Sequence, residues 1–98
     1  MNVISLKTIK DFGKKYADSR DALLSWYHEA ENADWQNPQV IKNRYPTASF
    51  MENDIVIFNI KGNKYRLTAK VSYRYKTVYI KWIGTHAEYD KKNFKGGK

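Results

Sequence analysis

The chain has 98 residues, of which 42% are hydrophobic and 15% aromatic, values typical of a globular protein with one domain over residues 1–98. It has no cysteine and two histidines, so disulfides are excluded, a transition-metal site would lack ligands, and we expect no cofactor. No apolar run is long enough for a signal peptide or a membrane span, and a chain without disulfides suits the reducing cytoplasm.

The formal net charge of +8 belongs to one half of the sequence. Residues 1–53 contain seven Lys or Arg and seven Asp or Glu, whereas residues 54–98 contain eleven and three, a difference equal to the whole net charge. A positive field confined to one part of a fold usually indicates a polyanionic partner.

The first third of the chain predicts two helices. Apolar residues recur at steps of three and four over residues 6–16 and again over residues 23–30, with charged residues between them. Because the connection is so short, we expect a helical hairpin. Asn37 and Pro38 then predict the start of a short helical turn that ends before Pro46.

The second half of the chain predicts three strands. Residues 54–60 are β-branched and aromatic, residues 65–74 alternate between apolar and polar, and a third apolar segment covers residues 78–83. Gly62 and Asn63 form a tight-turn pair between the first two strands. These elements predict an α+β fold in which the helical hairpin packs on a mainly antiparallel three-stranded sheet, with a short C-terminal helical turn.

The register of the first hairpin follows from its apolar residues. Directly opposed residues in an antiparallel pair share a face, so the apolar sets of both strands must meet. Pairing Phe58 with Leu67 satisfies this condition and places Asn59 opposite Arg66 on the polar face.

The register of the second hairpin follows from its apolar residues in the same way. Pairing Val71 with Val78 keeps the apolar sets together, keeps Trp82 on the apolar face, and places Lys81 beside Thr68 on the polar face. The predicted position of Lys81 is therefore between the other cations of the second strand.

The same register returns the end of the third strand to the start of the second. His86 should then lie near the turn at Gly62 and Asn63, close to Arg66. A further helical turn would bring Tyr89 to the side of His86. Residues far apart in the sequence are thus expected to form one polar patch.

The residue pattern alone leaves more than one function open. Any single cation could belong to a solvated sheet face, but charges of one sign on neighbouring strands repel each other, which favours a polyanionic partner. Composition does not separate binding from cleavage. A non-catalytic RNA-binding module similar to a double-stranded-RNA-binding domain is one alternative, and a structural or regulatory subunit is another.

The second half of the chain resembles the HigB toxins, RelE-like members of type II toxin–antitoxin systems. The residues that carry this resemblance are Phe58-Asn59, Gly62-Asn63, Arg66 and Thr85-His86-Ala87-Glu88-Tyr89-Asp90. The resemblance implies a ribosome-dependent endoribonuclease that cuts translated mRNA, and ribosomal RNA is the expected contact of the basic residues outside the site. It also implies a HigA-like antitoxin with a helix-turn-helix domain, through which the pair would bind operator DNA.

Site residues follow from the same resemblance. Arg66 matches the phosphate-binding arginine of the family, and His86 and Tyr89 match its terminal histidine and tyrosine. Lys81 stands where relatives often have an arginine; lysine keeps the charge but lacks the planar guanidinium that binds two phosphate oxygens at once.

These residue types suit RNA cleavage by the 2′-hydroxyl, which needs no metal. The protein must align the attack, move two protons and stabilise the charge of the phosphorane. We expect Arg66, with Lys81 or Lys70, to stabilise the phosphate and His86 to act as general acid or base. Tyr89 could stack, hydrogen-bond or assist proton transfer.

The remaining basic residues are predicted to follow the RNA backbone. Together with one amide side chain, the RNA-binding set consists of Asn59, Lys61, Lys64, Lys70, Arg74, Lys76, Lys91 and Lys92. Glu88 is a further candidate base, although its place in a turn is expected to direct it elsewhere.

Overall fold

The computed structural model describes residues 1–92, which form a mixed sheet with the first three helices packed on one face. The elements in chain order are β1 (Asn2–Ile4), α1 (Leu6–Lys15), a 3-10 turn (Ala17–Ser19), α2 (Arg20–Asn32), α3 (Pro38–Arg44), β2 (Ser49–Met51), β3 (Ile55–Ile60), β4 (Tyr65–Ser72), β5 (Thr77–Thr85) and α4 (His86–Lys92).

Within these residues the sheet has five strands in the order β1-β5-β4-β3-β2. The strand β1 runs parallel to β5, and the other neighbours are antiparallel. The predicted α+β class is therefore confirmed, but the three-stranded sheet was incomplete. Because β1 and β2 have only three residues each, they are too short to show an alternating pattern in the sequence.

The helical segments differ from the prediction only in detail. The first two helices are joined by a 3-10 turn rather than a plain loop, and β1 precedes them. The predicted turn after Asn37 is α3, in which the Asn37 side chain accepts a hydrogen bond from the backbone N–H of Val40. Pro38 occupies the first turn of that helix, where its missing N–H is harmless.

The apolar core lies between the sheet and the helices α1 and α2. Ile9 and Leu23 are almost fully buried, as are Phe58 and Leu67 from the facing strands. The ring of Trp26 packs edge-on against Phe58, with 5.2 Å between the ring centroids. This packing fixes the helix-bearing face and leaves the polar side chains of the strands on the opposite face.

The first hairpin has the predicted register. Phe58 lies opposite Leu67 and Asn59 lies opposite Arg66. The apolar residues of β4 are buried, whereas Arg66 is partly exposed. The alternation predicted for β4 is confirmed, but the face that carries Asn59 and Arg66 is not polar throughout, since the buried side chains of Ile57 and Thr68 also lie on it.

The second hairpin starts in the predicted register and then departs from it. Val78 lies opposite Val71, but Thr68 faces Trp82 instead of Lys81. A β-bulge inserts Lys81 as an extra residue between the pairs, so the alternation of β5 changes phase. The predictions that Lys81 lies opposite Thr68 and that Trp82 lies on the apolar face were therefore wrong.

The bulge decides which side chains share the face opposite α1 and α2. We call this surface the open face; it carries Asn59, Arg66, Lys70, Tyr79 and Trp82. The double-stranded-RNA-binding alternative relied on a three-stranded antiparallel sheet, and the five-stranded mixed sheet does not match it.

Candidate active site

Arg66 lies near the start of β4, where its guanidinium donates hydrogen bonds to two uncharged acceptors. Its Nη1 donates to Oδ1 of Asn63, 2.6 Å away, and its Nη2 donates to Nδ1 of His86, 2.8 Å away. Each contact uses one N–H of a terminal nitrogen, so further N–H groups remain for phosphate oxygens. The predicted proximity of Arg66 and His86 is confirmed.

The contact with Arg66 defines which ring nitrogen of His86 is the hydrogen-bond acceptor. A guanidinium has only donors, so Nδ1 of His86 must be the acceptor. With Nδ1 as the acceptor, Nε2 is the ring nitrogen that carries the proton. That nitrogen faces Asp90, whose Oδ2 is 3.6 Å away. The two ring nitrogens are thus flanked by a cation and a carboxylate.

The start of α4 places His86 beside the turn before β4. The backbone N–H of His86 donates to the carbonyl of Lys64 at 3.0 Å. Thr85 caps the helix, because its Oγ1 accepts from the N–H of Glu88 at 3.1 Å while its own N–H donates to Oε1 of Glu88 at 2.9 Å. Glu88 is therefore engaged in a capping box and directed away from the role of a base.

Tyr89 lies one helical turn beyond His86 and is buried, with 6% of its surface exposed. The guanidinium carbon of Arg66 is 5.4 Å from its ring centroid, and the ring of Trp82 is 6.4 Å away. Trp82 occupies the space where a side chain on Gly84 would be, since an added Cβ would come within 2.2 Å of the indole. The absence of a side chain at Gly84 thus lets Trp82 support Tyr89.

These side chains surround a partly open cavity of about 280 Å³, which we call the cleft. Its walls come from β2 and the loop before it, β3, β4 and α4, and its lining residues are Thr47, Ser49, Ile57, Asn59, Arg66, His86, Tyr89 and Asp90. Asn59 is anchored in the wall, because its Nδ2 donates to the carbonyl of Thr47 at 3.2 Å.

Two predicted phosphate ligands do not line the cleft. Lys81 lies in the bulge, and its Nζ is 5.9 Å from the ring centroid of Tyr79. Lys70 is exposed on the open face, four residues from Arg66 and thus about 13 Å along an extended strand. The structure therefore gives Arg66 no second cation of this pair inside the cleft.

The turn before β4 contributes cations close to the cleft. Lys61 is exposed there. Lys64 forms an ion pair with Asp18, which also accepts a hydrogen bond from the hydroxyl of Tyr65. The hydrogen bonds from Lys64 and then from Tyr65 lower the pKa of Asp18, and the same carboxylate raises the pKa of Lys64.

The other predicted RNA contacts lie elsewhere. Arg74 and Lys76 are at the far end of β4, an eight-residue strand whose ends are about 25 Å apart. The guanidinium of Arg74 lies 5.4 Å from the ring centroid of Tyr75, and Lys76 pairs with Asp34 at 2.7 Å. Near the end of α4, Lys91 borders a separate depression beside Phe12 and Trp82, and the side chain of Lys92 lies outside the described residues.

Sequence reasoning missed three contributors to the site. Asn63 was assigned to a turn and to the family motif but was given no role in the site, yet it accepts a hydrogen bond from Arg66. Asp90 faces His86 at the i, i+4 spacing that brings helical side chains together, and that spacing was a readable signal. The T-x-x-E pattern of Thr85 and Glu88 was a readable capping signal.

Within residues 1–92, no helix is long and apolar enough to cross a bilayer. In the same part of the chain, no group of three or more His, Asp or Glu side chains is positioned to hold a metal ion.

Comparisons with known proteins match nearly the whole chain. The profile of the HigB toxin family, the RelE-like toxic component of a toxin–antitoxin system, matches residues 19–92. The mRNA interferase HigB of Escherichia coli O6:H1 is 28% identical over 93 residues, which cover 93% of this chain and 90% of the relative. The mRNA interferase toxin HigB of Escherichia coli K12 is 27% identical over 92 residues, covering 92% and 88%. The mRNA interferase HigB of Shigella flexneri matches to the same extent.

Proposed function

Because the chain belongs to the HigB family of RelE-like toxins, we propose that it is an mRNA interferase, an endoribonuclease that cuts mRNA during translation on the ribosome. The observation that carries this proposal is the contact between Arg66 and His86. The two nitrogen atoms are 2.8 Å apart in one cleft, which supports a role for Arg66 in binding the phosphate and for His86 in proton transfer.

The reaction that suits this pair is internal transesterification. The 2′-oxygen forms a bond to the adjacent phosphorus, the bond from phosphorus to the 5′-oxygen breaks, the 2′ proton leaves, and the 5′-oxygen gains a proton. The products are a 2′,3′-cyclic phosphate and a 5′-hydroxyl. Arg66 supplies donors for the phosphorane oxygens, where negative charge develops.

The hydrogen bond between Arg66 and His86 couples phosphate binding to proton transfer. An imidazole with a proton on Nδ1 cannot accept from the guanidinium, so protonation of that nitrogen requires Arg66 to turn away. A phosphate group in the cleft provides the alternative acceptor. Nδ1 of His86 then becomes free to receive a proton, while Oδ2 of Asp90 lies 3.6 Å from Nε2 on the other side of the ring.

Tyr89 has a supporting place in this scheme. Its ring lies against the guanidinium of Arg66, which limits the orientations available to that side chain. Its position in the wall of the cleft also suits contact with the nucleotide beside the scissile phosphate. We assign Tyr89 to orientation and nucleotide contact, with proton transfer carried by His86.

The partners follow from the family and from the charge. We propose that a HigA-like helix-turn-helix antitoxin neutralises the protein and that operator DNA is bound only through that antitoxin. Ribosomal RNA is the polyanion that the basic surface outside the cleft contacts. Action on translating ribosomes places the protein in the cytoplasm.

The test is induced expression in bacteria, followed by growth measurement and mapping of mRNA 5′ ends on translated and untranslated messages. The wild-type chain should arrest growth and cut only translated mRNA. His86→Ala should lower the cleavage rate by about 10²- to 10⁴-fold, the usual contribution of a general acid–base. His28→Ala is the matched control, since His28 is an exposed histidine on α2 outside the cleft.

A second measurement addresses the chemistry directly. A message with a single 2′-deoxy nucleotide at the cleavage position should resist cutting there, because the nucleophile is missing. Cleavage of the deoxy site, or full activity of His86→Ala, would overturn the proposed mechanism.

A further inference from the structure

The open face carries a row of paired residues that the proposed reaction does not use. Ile4, Tyr79, Lys70, Ile55 and Met51 follow one another across the five strands, each directly paired with the next. The row contains one cation and no carboxylate. It lies on the same face of the sheet as Arg66 and Asn59, so it continues the surface of the cleft.

The second residue of this row is an exposed aromatic ring that lies between two cations. Tyr79 is 38% exposed and its neighbour Ile4 is 44% exposed, although both are large apolar residues. Lys70 lies directly opposite Tyr79, and the ammonium of Lys81 is 5.9 Å from the ring centroid. Adjacent exposed apolar side chains on a sheet are one of the features found at binding sites.

An aromatic ring flanked by lysines is typical of protein surfaces that bind single-stranded nucleic acid. Every nucleobase has a flat face that stacks on an aromatic side chain, while lysines neutralise the phosphates on either side. The lack of acidic residues in the row favours an anionic ligand over a basic protein segment. The distance of about 13 Å from Arg66 to Lys70 along β4 is one that an RNA strand covers within a few nucleotides.

We infer that Tyr79 is a stacking platform for an unpaired nucleobase of the substrate RNA, a few nucleotides from the phosphate that Arg66 binds. Lys70 and Lys81 contact the phosphates on either side of that base. This inference rests on the proposed function for the identity of the RNA, but stacking itself requires no cleavage. It gives Lys81 a role in holding RNA outside the cleft.

The experiment uses an RNA oligonucleotide that cannot be cut, with 2′-O-methyl groups throughout and 2-aminopurine placed at successive positions. Binding by the full chain is measured by fluorescence, on the free oligonucleotide and on ribosomes programmed with it. The wild-type chain should change the emission at one position, and Tyr79→Phe should keep that change. Tyr79→Ala should abolish it and weaken binding about 5- to 100-fold, as loss of one stacked base does.

Tyr75→Ala is the matched control. Tyr75 is 70% exposed and has Arg74 beside its ring, but it lies in the turn between β4 and β5, outside the row. Equal loss in both alanine variants would overturn the inference, and so would binding by Tyr79→Ala within twofold of the wild type. Melting temperatures of all variants verify that the fold is retained.

Two further outcomes separate this inference from the proposed function. Failure of the wild-type chain to produce any position-dependent emission overturns the stacking platform, even when translated mRNA is cut normally. Weaker antitoxin binding by Tyr79→Ala, with unchanged RNA binding, overturns it in favour of a protein contact. A position-dependent signal without cleavage of unmodified mRNA supports stacking and contradicts the proposed enzyme.

Discussion

The two ends of the hairpin formed by β4 and β5 have similar residues and different arrangements. At one end Arg66 donates to Asn63 and His86 and lines the cleft. At the other end Lys76 is neutralised by Asp34, and Arg74 lies against an exposed tyrosine ring. The comparison shows that positive charge alone does not locate the site. We propose the site at the end where the donors of Arg66 meet uncharged acceptors beside a cavity.

The sharpest test of this comparison replaces one arginine at each end. Arg66→Ala should lower the cleavage rate of translated mRNA by about 10²- to 10³-fold, because it removes donors aimed at the developing charge. Arg74→Ala should leave the rate within a few-fold of the wild type. Single-turnover cleavage on programmed ribosomes measures both rates. Equal losses at the two ends would show that total charge, not the cleft, governs activity.

Variants of the capping box formed by Thr85 and Glu88 test whether stability and cleavage depend on the start of α4. Thr85→Ala removes the cap of the helix that carries His86, so the free energy of unfolding should fall by about 1 kcal/mol. Thermal and urea denaturation measure this loss, and cleavage should decrease with it. Glu88→Gln keeps an acceptor for the N–H of Thr85 and should keep both stability and cleavage. Loss of cleavage by a stably folded Glu88→Gln variant would restore Glu88 as a candidate base.

The position of Lys81 predicts a smaller effect than that of Arg66. Since Lys81 lies in the bulge and does not line the cleft, Lys81→Ala should slow cleavage less than tenfold. It should also reduce the steepness with which log affinity for RNA falls with log salt concentration. The slope should change by about one, the value for one lost phosphate contact. Measuring the affinity over a range of salt concentrations determines that slope. A loss as large as that of Arg66→Ala would place Lys81 at the reacting phosphate after all.

The smallest expected effect concerns Asp18. Its ion pair with Lys64 connects the turn before β4 to the 3-10 turn between α1 and α2. Lys64 and then Tyr65 lower its pKa below the ordinary value of 3.8. A carboxyl pKa that is lower in the folded state stabilises the fold at pH values above the ordinary pKa. This stabilisation disappears as the pH falls through the lowered pKa. The melting temperature of the wild type should therefore exceed that of Asp18→Asn at pH 7, and the difference should shrink below about pH 4. A difference that does not change with pH would contradict this ion pair.

Much of the fold could be predicted because its signals are local. The apolar steps of α1 and α2, the cap at Asn37 and the alternation of β4 all depend on neighbours in the sequence. The register of the first hairpin also followed, since burying Phe58 against Leu67 leaves one arrangement of the polar face. The return of the third strand toward the turn at Gly62 and Asn63 was enough to predict that His86 lies close to Arg66.

The sequence by itself determined the α+β class, the concentration of charge in the second half, and the convergence of Arg66, His86 and Tyr89. The charge distribution follows from a count of residues, and the other two depend on hydrophobic period and on the pairing of nearby strands. Only the tertiary structure decided the bulge at Lys81, the strands β1 and β2, and the separation of the cations along β4. A bulge leaves no change in composition, and a three-residue strand becomes a strand only through its hydrogen-bonded neighbour.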